Sequence, residues 1–250
     1  MTSSNLSDRT ALVVGASRGL GRGITSALAQ AGGSVIAVAR TAAGAAEPAG
    51  DAGTIEPVRA DAADPTVAGM LIDRFQPEVL VIVAGAAPLM RPLQQHTWET
   101  FSVNWHTDVR IAFQWVREAL LVPLRPGSRV VVISSGAALA GSPLSGGYAG
   151  AKATQRFITA YAQEEADRGG LGINFTAVLP RITPLTDLGR PAVRAYAARS
   201  GQSEEQYIER FGAPLTPERA GAAVLELVSA DPASLAPGYL LSAAGLQTLQ

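Results

Sequence analysis

The 250-residue chain is 47% hydrophobic and 16% charged, a balance suited to one folded α/β domain with a sizeable core. A formal charge of −1 with scattered basic residues leaves no electrostatic footprint for nucleic acid, and the absence of cysteine excludes disulfides, thiolate–zinc and iron–sulfur sites. His96 and His106 have no partner at metal-ligand spacing, the polar start Met-Thr-Ser-Ser-Asn-Leu-Ser-Asp-Arg has no apolar signal core, and no apolar run nears the ~20 residues of a membrane span. The expectation is a cytoplasmic protein with no metal, no membrane contact and no nucleic-acid partner.

In chain order, the first expected strand, Ala11–Val14, runs into Gly15-Ala16-Ser17-Arg18-Gly19-Leu20-Gly21, which opens a helix over Gly19–Ala31. Glycines permit a tight reversal and close approach to phosphate, and the helix start offers free N–H groups and a positive dipole. This strand–turn–helix context points to a dinucleotide site, although the spacing differs from G-x-G-x-x-G. The second strand, Val35–Ala39, ends at Arg40 rather than at the acidic residue that takes ribose hydroxyls in NAD sites. Arg18 and Arg40 together suit a 2′-phosphate, so NADPH is expected over NADH.

Thr41–Gly53, rich in alanine and glycine, reads as a short, poorly ordered connection to a weaker strand near Ile55–Val58. Further helices are expected at Thr66–Phe75, Thr97–Val122, Tyr148–Asp167 and Thr216–Ser229, with strands at Val79–Val83, Val130–Ser134, Ile173–Val178 and Tyr239–Leu241. Near-continuous apolar strands alternating with helices predict a doubly wound parallel sheet of about seven strands, a three-layer α/β/α Rossmann fold forming a single domain over residues 1–250. Leu185–Phe211 breaks the alternation and reads either as a helical lid over a site or as an irregular packed insertion.

Tyr148 and Lys152 are four residues apart, on one helix face, so the ammonium lies close to the phenol and favours its ionised form. Ser135 follows the apolar run Val130–Ser134. A hydroxyl at a strand end and a phenol at a helix start can converge on one oxygen atom, the arrangement needed to protonate or deprotonate an alcohol or carbonyl.

Together these motifs resemble the short-chain dehydrogenase/reductase family in its one-domain form, from Thr10 to about Gly245. The resemblance implies Tyr148 as general acid/base, Ser135 as the group orienting the substrate oxygen, and Lys152 on the nicotinamide ribose. It implies Asn104 as the fourth member of the centre, kinking its helix and holding a water that links Lys152 to solvent. It also implies cofactor contacts from Gly15, Ser17, Arg18, Gly19, Leu20, Gly21, Arg40, Asp61, Ala62, Ala84, Gly85, Pro180 and Thr183. For Asp61 a turn or capping role is the competing reading. Three departures stand out: Ile82-Val83 for the family's paired asparagines before Ala84-Gly85, Val14 for a threonine before the glycine turn, and Arg181 for a glycine after Pro180.

The function expected is NADPH-dependent interconversion of a small-molecule carbonyl and alcohol. The alternatives are a non-catalytic NADPH-binding regulator or scaffold on the same fold, and a reductase of C=N bonds. Helices Thr97–Val122 and Tyr148–Asp167 are apolar on more than one side, and family members associate through them, so a homodimer or homotetramer is expected.

Overall fold

The computed structural model describes residues 6–41 and 53–249; apart from Thr41 and Gly53, the connection expected at 41–53 lies outside the described residues. Segments rich in β-branched residues, which suit a pleated and buried surface, form β1 (Thr10–Val14), β2 (Ser34–Ala39), β3 (Thr54–Arg59), β4 (Val79–Ile82), β5 (Arg129–Ile133) and β6 (Asn174–Pro180), and the tyrosine–leucine segment Gly-Tyr-Leu-Leu-Ser forms β7 (Gly238–Ser242). These seven run parallel in the order β3-β2-β1-β4-β5-β6-β7.

An eighth strand, β8 (Gly245–Thr248), joins β7 antiparallel and closes that edge. It goes beyond the seven expected because Gly-Leu-Gln-Thr has no apolar run: half of this edge strand faces solvent and needs none. At the opposite edge β3 accommodates Pro57, whose missing N–H is tolerated on an outer strand.

Side chains alternate across the sheet, as the period of two requires. Leu12, Val14, Ile36, Val38, Leu80, Ile82, Val130 and Val132 share a core with α2 (Val67–Phe75), α4 (Arg110–Leu121) and α6 (Tyr148–Arg168). Ala11, Val13, Val35, Ala37, Val79, Val81, Val131 and Ile133 share the other with α1 (Gly19–Gln30) and α9 (Pro217–Ser229). Each large aliphatic side chain so buried contributes roughly 1.5–3 kcal/mol. The central strands are held from both sides, so their carboxyl ends form a rigid platform.

The helix expected over Thr97–Val122 is interrupted. A Thr97–Thr100 capping box starts α3 (Trp98–Asn104), a π-helical turn follows at Trp105–Val109, and α4 resumes at Arg110. The interruption has a local cause. Asn104 Nδ2 donates to Ala86 O at 2.8 Å, and Ala86 N donates to Asp108 Oδ1 at 2.8 Å. Two side chains one turn apart therefore hold both backbone groups of one residue beyond β4, and the helix widens between them. Such π turns recur at functional sites.

Residues 185–211 contain two helices, α7 (Gly189–Arg199) and α8 (Glu204–Glu209), beside the carboxyl edge of the sheet. At that edge β1 lies between β2 and β4, so successive connections leave in opposite directions. The crevice at such a switch point is where α/β sheets bind ligands.

In α6 the buried stripe Tyr148, Ala151, Lys152, Gln155, Thr159, Ala162 and Ala166 faces inward. The small residues seat the helix close to its neighbours, and Ala162 joins the first core. Ala162→Leu should lower stability by about 1–3 kcal/mol through overpacking. Urea unfolding measures this, and an unchanged midpoint would mean that the helix does not pack tightly there.

Candidate active site

One continuous cavity of about 760 Å³ among the described residues runs along the carboxyl edge of the sheet, from the Gly15–Gly21 turn past the ends of β4 and β5 to α7 and α8. Of the site residues expected from sequence, every one except Asn104 lines it: Gly15, Ser17, Arg18, Gly19, Leu20, Gly21, Arg40, Asp61, Ala62, Ala84, Gly85, Ser135, Tyr148, Lys152, Pro180 and Thr183. Residues dispersed over most of the chain thus meet in one space.

At the chemical end, the chain leaves β5 through Ser134 and Ser135. Ser134 Oγ donates to Lys152 O at 2.7 Å, which ties the strand end to the first turns of α6. Ser135 Oγ accepts from Ala137 N at 3.2 Å and remains half-buried at the cavity wall. Tyr148 is the first residue of α6, and Lys152 Nζ sits 5.7 Å from the centre of its ring.

Lys152 is 4% exposed and surrounded by acceptors. Its ammonium donates to Gln155 Oε1 at 3.0 Å and to Ile133 O at 3.4 Å, and lies 3.1 Å from Asp108 Oδ2. Asp108 is 1% exposed. Its Oδ1 accepts from Ala86 N and, at 3.2 Å, from Asn104 Nδ2, whereas Oδ2 has the charge contact to Lys152 without an aligned hydrogen bond. Gln155 Nε2 closes the cluster by donating to Asp108 O at 2.9 Å. Burial is the largest influence on Lys152 and pulls its pKa down; the Asp108 carboxylate, followed by Tyr148, outweighs it and holds the lysine above its ordinary value.

Asn104 therefore lies behind the cavity. It is fully buried, bound to Ala86 and Asp108, with its Oδ1 lacking a hydrogen-bond partner among the described residues. Asp108, Gln155 and Tyr196 are the site residues that sequence reasoning missed. A signal for two of them exists: Asp108 stands three, four and seven residues before Ile111, Ala112 and Trp115, and Gln155 three after Lys152. Each places a polar side chain on a buried stripe, where it requires a partner.

At the other end, Arg40 follows β2, and Arg18 precedes α1, where Arg18 Nη1 lies 3.7 Å from Asp187 Oδ2 across the mouth. Asp61 Oδ1 accepts from Ala63 N at 3.0 Å, so it closes a turn while still facing the cavity. Thr183 is buried, its hydroxyl 3.0 Å from that of Thr186, and Pro180 O accepts from Gly136 N at 2.8 Å. Backbone groups brace the turn where Val14 and Ile82-Val83 depart from the family pattern: Val83 N and Ala84 N both donate to Val14 O at 2.9 Å, and Gly15 N donates to Val38 O.

The cavity wall contributed by residues 185–211 is aromatic. Tyr196 on α7 shares a 2.7 Å hydrogen bond with Ser142 Oγ and accepts from Leu144 N at 3.2 Å. Tyr207 stacks on Tyr196, and Phe211 meets Tyr207 edge-on. Burial pushes the Tyr207 phenol up, with Tyr196 adding to it and Arg210 opposing.

A family model described as short chain dehydrogenase matches residues 9–197. The chain belongs to the short-chain dehydrogenase/reductase family. Among curated proteins this family member is similar to L-xylulose reductase of Mesocricetus auratus, 28% identical over 74% of the chain and 75% of the relative. It is also similar to carbonyl reductase [NADPH] 2 of Sus scrofa, 29% identical over 74% and 76% of the two chains. A solved dehydrogenase/reductase from Sinorhizobium meliloti 1021 superposes with a TM-score of 0.75 at 25% identity, covering 95% of this chain and 94% of the other.

Short-chain dehydrogenases/reductases use nicotinamide cofactors, and the glycine turn fits such a group. Gly15 has φ +95°, and a Cβ there would lie 2.6 Å from Ala84 N, so any side chain would close the crevice between β1 and β4. The first turn of α1 has no side-chain cap and no acidic residue, leaving its N–H groups for an anion.

The raised values of Lys152 and Tyr207 fix the sign of one pH effect. In each case the folded state holds its proton more tightly than the unfolded chain. That stabilisation is complete below the ordinary values near about 10 and is lost as pH rises through the folded ones. Unfolding free energy followed by urea titration should fall on the alkaline side of about pH 10, whereas a rise there would contradict the assignment.

Proposed function

We propose that this family member is an NADPH-dependent oxidoreductase that interconverts a carbonyl and an alcohol, working through Ser135, Tyr148 and Lys152. The observation that carries this reading is their place on one cavity, which continues to the Gly15–Gly21 turn and to Arg18 and Arg40. The relatives whose names are carbonyl reductase [NADPH] 2 and L-xylulose reductase support it.

When bound, the nicotinamide nucleotide supplies or accepts the hydride. Gly15, Ser17, Gly19, Leu20 and Gly21 would hold its diphosphate, Asp61 and Ala62 the adenine, Ala84 and Gly85 a ribose, and Pro180 and Thr183 the carboxamide. Arg18 and Arg40 would take a 2′-phosphate, for which guanidinium forks are suited. Ser135 donates a hydrogen bond to the substrate oxygen. Tyr148 transfers its phenolic proton to that oxygen as negative charge develops, and the Lys152 ammonium stabilises the phenolate left behind. Asn104 acts from behind, by holding Asp108 and Ala86.

The substrate end is bounded by Leu139, Pro143, Ile182, Tyr196, Tyr207 and Phe211. Such a wall suits a small, uncharged carbonyl compound with apolar or ring character, held by area and stacking rather than by charge. Residues 185–211 serve as the lid of this end. The exposed Phe113, Phe157 and Tyr161 on α4 and α6 form the face by which the protein assembles into a homodimer or homotetramer.

Tyr148→Phe should lower turnover by a factor of 100 or more, since general acid–base catalysis contributes about 10²–10⁴-fold, while NADPH still binds. Stopped-time assays with a panel of ketones, aldehydes and cyclic imines, beside calorimetric NADPH binding, provide the test. Cofactor binding without hydride transfer to any of them would favour a regulator or scaffold. Arg40→Ala should weaken NADPH binding and leave NADH binding nearly unchanged; an unaltered preference would remove Arg40 from the 2′-phosphate site.

A further inference from the structure

The mechanism above requires a charged lysine, yet the structure places that lysine out of water. Lys152 and Asp108 have side chains 5% and 1% exposed, 3.1 Å apart. The two other acceptors of the ammonium, Gln155 Oε1 and Ile133 O, are neutral. An isolated ammonium at such a site loses its proton rather than remain unpaired. We propose that Asp108 is a positioning residue of this centre, whose buried carboxylate is the counter-ion that keeps Lys152 a charged ammonium beside Tyr148.

The surroundings are built for a carboxylate at this point. Ala86 N and Asn104 Nδ2 both donate to Oδ1, which fixes the orientation of the group. The π-helical turn carries Asp108 inward from the helix line. Gly85 leaves the space: a Cβ there would lie 2.6 Å from Asp108 Oδ2. Asn104 thereby gains a definite task, since it orients the carboxylate that orients the lysine.

The other elements around Lys152 provide no substitute charge. Its own helix adds Tyr148 and Gln155, the strand end adds Ile133 O and the hydroxyls of Ser134 and Ser135, and α3 adds the neutral Asn104. The lining contributed by α4 and by α5 (Ala137–Ala140) is aliphatic, and after β6 the exposed cation Arg181 follows. The remaining carboxylates of the cavity, Asp61 and Asp187, stand at the nucleotide end, the latter beside Arg18. Burial and Asp108 pull the lysine in opposite directions, and Asp108, aided by Tyr148, prevails.

The inference rests on the proposed role of Lys152, but its test needs neither cofactor nor substrate. Lys152 is the only lysine in the sequence, so lysine labelled with ¹⁵N at Nζ and ¹³C at Cε gives a single side-chain signal. In the unsubstituted protein this signal should titrate above the ordinary lysine value of about 10.4. A midpoint at or below that value overturns the proposal. In Asp108→Asn the midpoint should fall by about two units or more, in the range that burial alone imposes, and Asp108→Glu should restore part of the shift. An Asp108→Asn signal that titrates as in the parent protein also overturns the proposal. If Asp108→Asn does not fold, the parent titration and Asp108→Glu still decide.

Where the variant folds, its pH–rate profile should gain an alkaline limb at the midpoint read by the lysine signal. A merely structural carboxylate would lower the yield of folded protein without moving that limb. Failure of the catalytic reading looks different: Tyr148→Phe would then retain turnover while the lysine signal still shifts as expected.

Discussion

The seating of α6 against the end of β5 is the constraint on which the rest of the site depends. The helix presents a single inward stripe, and the residues that pack it are interleaved with those of the candidate site: Ala151, Ala162 and Ala166 among Tyr148, Lys152 and Gln155. Ser134 ties strand to helix through Lys152 O, which sets Ser135 and Tyr148 relative to one another. Stability and geometry therefore share one surface. A helix that stood farther from the sheet would lose its core and its active centre together.

The second constraint is electrostatic. A lysine buried beside a phenol has to be paired, and a buried pair has to be hydrogen-bonded to be tolerable. The protein meets both needs at the π-helical turn, where Asn104, Asp108 and the backbone of Ala86 form one connected group. The turn also supplies the link between the two halves of the cavity. The loop after β4, which borders the nucleotide crevice, is bound to the same carboxylate that faces the lysine. Occupation of the crevice and the charge state of the centre are thus mechanically adjacent.

Departures from the family pattern at Val14 and at Ile82-Val83 are absorbed by main-chain bonding. A hydroxyl or amide side chain that braces a turn can be replaced when the neighbouring backbone groups find each other, as Val83 N and Ala84 N do on Val14 O. Arg181 is different. It adds a guanidinium at the cavity rim without a salt bridge among the described residues, and it leaves the backbone pairing of its own strand end intact, with its N–H donating to Leu241 O.

Much of this molecule is determined by short-range chemistry, and so is open to reading in the sequence by itself. The apolar runs mark seven strands, the Gly15–Gly21 turn marks the first crossover, and the four-residue interval between Tyr148 and Lys152 places both on one face, because these features repeat with the geometry of the backbone. What required the tertiary structure is of another kind. The eighth strand has no apolar run, since an edge needs no second buried face. The break in the helix expected at Thr97–Val122 arises from side chains reaching across to Ala86, a contact invisible to periodicity. The pairing of Asp108 with Lys152, 44 positions apart in the sequence, was decided by burial: the sequence shows a carboxylate on an apolar stripe, but only folding brings to it a cation that makes it tolerable.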